Sequence, residues 1–167
     1  LIKSLEHAGV DTVFGIPGGA ILPAYDPLMD SKQVRHILVR HEQAAGHAAE
    51  GYAQTSGKVG VCMATSGPGA TNLVTPIADA YMDSVPIVAI TGQASSEALH
   101  KEAHQVVDVV DMFRPVTKWN ARVERPEALP EMVRKAFRVA ALEKPGPTHL
   151  EIGEDVFIGS DTMLVAP

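Results

Sequence analysis

From residue 12 to residue 152 the chain alternates short apolar, strand-like runs with stretches of helical spacing. That rhythm is the pattern of βα units, whose strands line up in a parallel sheet. The apolar runs at 59–64 and 85–90 are too continuous for a sheet with one wetted face, so they require cover on both sides. The expectation is an α/β fold: a doubly wound, mostly parallel six-stranded sheet with helices on both faces.

The segments follow from periodicity and from the residues that interrupt it. Residues 1–8 read as a helix stopped by Gly9, and 12–15 as a short strand entering the turn Ile16-Pro17-Gly18-Gly19. Residues 20–29 read as a short or irregular helix because Pro23 and Pro27 interrupt it. Strands are expected at 34–39, 59–65, 86–91 and 148–152, and helices at 43–55, closed by Gly57, and at 70–82. Residues 99–110 read as partly helical, and 126–143 as the clearest helix, with Pro near its start and Gly146 past its end. No helix is expected after the last strand, where 162–167 trail off. The absence of an initiator Met and the helical spacing that starts at Leu1 suggest one domain, 1–167, cut from a longer enzyme.

Composition narrows the classes. Of 167 residues 46% are apolar but only 5% aromatic, so the core is built from Ala, Val, Ile, Leu and Met. The net charge of −6 and the scattered Lys and Arg give no basic stripe for nucleic acid. No apolar run approaches the roughly 18 residues that span a membrane, and no leader pattern is present. A cytoplasmic location is the expectation. The single Cys62 lies in an apolar run and reads as a buried structural thiol. No spacing among the seven His suggests a metal site.

In an open α/β sheet, ligands collect beyond the carboxyl ends of the strands. Three segments qualify. Gly15-Ile16-Pro17-Gly18-Gly19 exposes backbone, but it is neither a dinucleotide fingerprint nor a P-loop, and a plain strand-to-helix turn also explains it. Glu42 follows a strand and opens a helix. It is either a favourable charge at the positive end of the helix dipole or a partly desolvated carboxyl able to act on a proton. Thr65-Ser66-Gly67-Pro68-Gly69-Ala70-Thr71-Asn72 enters another helix; alone it suggests phosphate binding, weakened by the lack of Lys. Ser66 lacks the Gly-x-Ser-x-Gly context of a hydrolase nucleophile.

Taken in order, these segments resemble a known family. Phe14-Gly15-Ile16-Pro17-Gly18-Gly19-Ala20, Arg40-His41-Glu42-Gln43-Ala44-Ala45, Gly51-Tyr52-Ala53 and the 65–72 loop occur together with Asp79-Ala80-Tyr81-Met82-Asp83-Ser84-Val85-Pro86 and Ile90-Thr91-Gly92-Gln93. The set is similar to the N-terminal domain of acetolactate synthase large subunits, and the resemblance covers essentially the whole chain.

The resemblance implies that this domain holds the aminopyrimidine end of thiamine diphosphate, while another domain holds the diphosphate and its Mg²⁺. It therefore turns the Gly-Pro-Gly loop from a phosphate cradle into a lining for the pyrimidine. Glu42 matches the family's catalytic glutamate. It would hydrogen-bond the ring nitrogen and favour the imino tautomer, whose nitrogen takes the thiazolium proton before attack on pyruvate and loss of carbon dioxide. The same carry-over makes Ile16, Pro17, Gly18, Gly19, Ala20, Thr65, Pro68 and Asn72 cofactor-binding positions. It makes Gln105 both a cofactor-binding and a catalytic one. No metal ligand is implied in this chain.

The implied reaction joins decarboxylated pyruvate to a second 2-oxo acid, in the setting of branched-chain amino acid biosynthesis. The implied partners are a second copy, in a homodimer or homotetramer whose contacts include helices 43–55 and 70–82, and a regulatory small subunit. Departures leave some of this open. Ile16 stands where many biosynthetic members carry Tyr, and His104-Gln105-Val106 stands where many carry Phe-Gln-Glu. The FAD requirement, the second substrate, an anabolic or catabolic role and the regulatory subunit stay undecided. A 2-oxo acid decarboxylase, a pyruvate oxidase, or a module that only binds or oligomerises are the competing readings; an intact Glu42 disfavours the last.

Overall fold

The computed structural model describes residues 1–159. Six strands form one sheet in the order β2-β1-β3-β4-β6-β5, and every neighbouring pair is parallel. They are β1 (Thr12–Gly15), β2 (Arg35–Leu38), β3 (Gly60–Ala64), β4 (Ile87–Gln93), β5 (Trp119–Val123) and β6 (Thr148–Gly153). The helices are α1 (Ile2–His7), α2 (Leu22–Asp30), α3 (Glu42–Ser56), α4 (Pro68–Asn72), α5 (Val74–Asp83), α6 (Val109–Phe113), α7 (Leu129–Ala141) and α8 (Glu154–Ile158). The doubly wound expectation holds, with a sheet that is wholly parallel.

Period-2 alternation sorts the core into two layers. Val61 and Met63, Val88 and Ile90, and Leu150 and Ile152 meet α1, α2 and α7 on one face. Cys62 and Ala64, and Ile87 and Ala89, meet the small-residue faces of α3 and α5 on the other, with Phe113 of α6. Full burial of a side chain such as Ile90 or Leu150 is worth about 1.5–3 kcal/mol. Cys62 is fully buried, and desolvation pushes its thiol up to about 12, so it is an inert core residue.

Helix α3 is capped at both ends by local chemistry. The His41 ring nitrogen Nδ1 accepts from the Gln43 backbone N–H at 3.1 Å, and Gly57 closes the helix at φ 72°. Helix α2 runs through Pro27, after a 3₁₀ turn at Gly19–Ile21.

Two expectations need correction, a third is met only in part, and one of the six expected strands went unplaced. Residues 70–82 are not one helix: α4 ends at Asn72 and α5 restarts at Val74. Pro76 has no N–H to donate to the Asn72 carbonyl, and a proline costs least in a first turn, where α5 puts it. Residues 99–108 form turns rather than helix, and only 109–113 coil into α6. Strand β5 carries Asn, Ala and Arg at its centre and sits half-buried at the sheet edge, so its period was hard to see. Helix α8 does follow the last strand; at five residues it is too short to stand by propensity and leans on α2 and the 3₁₀ turn. The segment 162–167 lies outside the described residues.

Candidate functional site

After β1 the chain turns toward β2 on one side, and after β3 it turns toward β4 on the other. Between those two strands the loops diverge, which is the switch point where open α/β sheets bind ligands. The first turn and the Gly-Pro-Gly loop meet there. A β-carbon placed on Gly18 would lie 2.6 Å from Thr65 Cβ, and one on Gly69 would lie 2.7 Å from Thr65 Cγ2. Thr65 is thus held between two glycines that no other residue could replace without displacement.

Glu42 joins the same cluster from the end of β2. Asn72 Nδ2 donates to its Oε2 at 2.9 Å, and its Oε1 lies 3.2 Å from where a Gly69 β-carbon would be. Glu42 opens α3, so its charge also sits near the positive end of that helix. The 65–72 loop is braced from within. Gly67 takes φ 52°, and the Thr71 hydroxyl donates to the Gly67 carbonyl at 2.8 Å. The carboxyl and the amide that holds it are both half-buried.

Gln105 comes to the cluster through its backbone. Its carbonyl oxygen would lie 2.5 Å from a β-carbon on Gly67, so the two segments touch only because Gly67 has no side chain. Gln105 itself adopts φ 61°, and its side chain is exposed. Ile16, Pro17, Gly19 and Ala20 complete the first turn, with Pro17 and Gly19 exposed. A β-carbon on Gly92 would lie 2.8 Å from the Ala20 carbonyl oxygen, so β4 supports this turn from beneath. Pro68 is exposed at the head of α4.

One detail bears on a planar heteroaromatic ligand. The Thr65 hydroxyl is buried and has no hydrogen-bond partner among the described residues. An unpaired buried hydroxyl costs free energy, so a polar ligand atom beside it would be favoured. A carboxyl steadied by one amide and a hydroxyl without a partner among the described residues suit a polar ligand with acceptor and donor edges.

A buried polar row that no single motif marks lies on the α6 side of the sheet. The Thr91 hydroxyl meets His149 Nε2 at 2.8 Å. Gln93 Nε2 donates to Glu151 Oε2 at 3.0 Å, and Arg122 Nε donates to Glu151 Oε1 at 2.6 Å. The signal was available: polar residues alternate with apolar ones in Ile90-Thr91-Gly92-Gln93 and His149-Leu150-Glu151-Ile152.

Among the described residues, no helix is long and apolar enough to cross a membrane. Residues 1–112 match the family described as "Thiamine pyrophosphate enzyme, N-terminal TPP binding domain". The chain is 55% identical over 167 residues to a protein named acetolactate synthase from Mycobacterium bovis, covering 100% of this chain and 27% of that one. It is 58% identical over 156 residues to the acetolactate synthase large subunit of Corynebacterium glutamicum, covering 93% of this chain and 25% of that protein. With the acetolactate synthase of Arthrospira platensis it shares 51% identity over 159 residues, 93% of this chain and 28% of the relative. The chain thus spans about a quarter of the length of these relatives. With residues 1–112 matched, the chain belongs to the family of thiamine pyrophosphate enzyme N-terminal TPP-binding domains.

Proposed function

We propose that this chain supplies the aminopyrimidine-binding half of a thiamine-diphosphate site in an acetolactate-forming enzyme. The observation that carries the reading is the joining of Glu42, Asn72 and Thr65 at the switch point, with an unpaired buried hydroxyl among them. The names of its relatives support pyruvate as the first substrate and a second 2-oxo acid as the acceptor.

In this reading the Glu42 carboxyl would hold the ring nitrogen of the aminopyrimidine through a shared proton. Asn72 keeps the carboxyl turned toward the ligand by engaging one oxygen only. Thr65 would offer its hydroxyl to a polar edge of the ring, and Gly18 and Gly69 make room for the Thr65 side chain that carries it. Gln105, exposed at the rim, would act on the substrate side of the cofactor. When bound, thiamine diphosphate supplies the nucleophilic carbon and the electron sink for decarboxylation. The protein supplies placement and proton control.

In this reading the diphosphate and its Mg²⁺ would be held by another domain. The cluster is a rim rather than a closed pocket: Pro17, Gly19, Pro68 and Gln105 are exposed, as are Tyr81 and Met82 at the end of α5. This supports a site completed by a second subunit, hence at least a homodimer.

The test is Glu42→Gln in the full-length enzyme. Gln is nearly isosteric and keeps a hydrogen bond, but cannot share the proton. Hydrogen–deuterium exchange at the thiazolium carbon of bound cofactor should slow by about 10²–10⁴-fold, the range of general acid–base contributions. Cofactor affinity should change far less. Equal exchange rates would remove Glu42 from the chemistry.

A further inference from the structure

The motif Ile90-Thr91-Gly92-Gln93 ends β4 beneath the site, and of its residues Gly92 packs under the first turn. Gln93 is fully buried, an unusual place for an amide. Its three hydrogen bonds admit one orientation. Nε2 donates to Glu151 Oε2 at 3.0 Å and to the Val107 carbonyl oxygen at 3.0 Å. Oε1 accepts from the Ala94 N–H at 2.9 Å. A carboxylate and a carbonyl both accept, so only the nitrogen can face them. Glu151 is itself fully buried and paired with the Arg122 guanidinium, which keeps its carboxylate in place.

Val107 is two residues from Gln105 along the chain. The turn segment between β4 and α6, which carries Gln105, is therefore tied at its far end to the floor of the sheet. Further ties hold α6, into which the segment runs: Asn120 Nδ2 donates to the Val110 carbonyl, and Phe113 stacks on His149 at a centroid distance of 4.2 Å. At its near end the Ser96 hydroxyl donates to Asp155 Oδ2 at 2.6 Å. Gln105 stands between these anchors at φ 61°, its carbonyl pressed against Gly67. The segment has little helical structure of its own, so its course depends on these ties.

We propose that Gln93 is a positioning residue for Gln105, locked in its working orientation by the Glu151–Arg122 pair. The inference rests on the thiamine-diphosphate reading for what Gln105 does, but not for how the segment is held. Gln93 touches neither ligand nor reacting atoms; it acts by fixing the Val107 carbonyl, and through it where the Gln105 side chain begins.

The experiment uses the full-length enzyme with Gln93→Met, which keeps the volume and deletes the amide. Amide hydrogen exchange over residues 103–108 should speed up by about tenfold, with the strand amides of β3 unchanged. In kinetics, kcat/KM for pyruvate should fall about tenfold, the scale of one or two lost hydrogen bonds, with thiamine-diphosphate half-saturation held within about twofold. On a Gln105→Ala background, Gln93→Met should cost nothing further, since it acts only through Gln105. Arg122→Lys keeps the charge but loses the aimed Nε–H; it should shift both readouts the same way and less, and it serves if the first variant fails to fold. Unchanged exchange over 103–108, or losses that multiply in the double variant, would overturn the proposal. If exchange quickens while Gln105→Ala leaves the kinetics untouched, the positioning stands and the assigned role of Gln105 falls.

Discussion

His149 lies wholly buried between the Thr91 hydroxyl, 2.8 Å from Nε2, and the ring of Phe113. Its Nδ1 has no partner among the described residues. Burial lowers its pKa from 6.5 to about 3, so the folded chain keeps the ring neutral where the unfolded chain protonates it. A depressed histidine destabilises on acidification: between pH 6.5 and about 3 the unfolded state binds the extra proton, and stability falls as pH falls. Taking the 167-residue chain from pH 6.5 to 4.5 should cost about 2 kcal/mol through this residue alone. His149→Leu should shrink the acid-induced loss in urea melts by that amount, whatever it does to stability at neutral pH; the other titrating groups cancel in the comparison. Equal losses in both proteins would show that the ring protonates in the folded state. At this scale the sequence was half legible. Gly18, Glu42, Thr65 and Asn72 sit in local motifs whose position after strands is visible in one dimension. His149, Gln93 and Glu151 gain meaning only across strands β4, β6 and β5, whose pairing no local pattern states.

The elements were legible where one physical signal ruled. Helix α3 has a cap at each end, and β3 and β4 are buried throughout, so period and punctuation agreed. They failed where tertiary contacts outweighed propensity, as in β5 and α8. The packing of α3 on α5 gives a prediction that reverses a general rule. In an exposed helix, Gly→Ala stabilises by about 1 kcal/mol. At Gly46 a β-carbon would lie 2.3 Å from Pro76 Cγ, on a ring that cannot swing away. Gly46→Ala should therefore destabilise by about 1–2 kcal/mol, since overpacking outweighs propensity. Urea denaturation of the two proteins checks the sign; a more stable variant would show that the two helices can part.

At the scale of the whole molecule, the proposed function makes the chain one side of a reaction centre. The isolated 167 residues, given pyruvate, thiamine diphosphate and Mg²⁺, should form no measurable acetolactate in a colorimetric product assay. Steady turnover by this chain alone would mean that the diphosphate is held here as well. The fold class was legible because alternating helix and strand admit few arrangements. The strand order was not, because it depends on which crossovers bury most.

That strand order also governs how the molecule is made. Phe14 of β1 pairs with Cys62 of β3, so everything between them, β2 and α3 included, must leave the ribosome first. Until then Gly18 has no Thr65 to rest on, and the apolar side of β1 lies open in the nascent chain. Parallel pairings of this separation form late and slowly. During synthesis that half-built sheet edge is what chaperones would meet, well before any ligand could reward its completion.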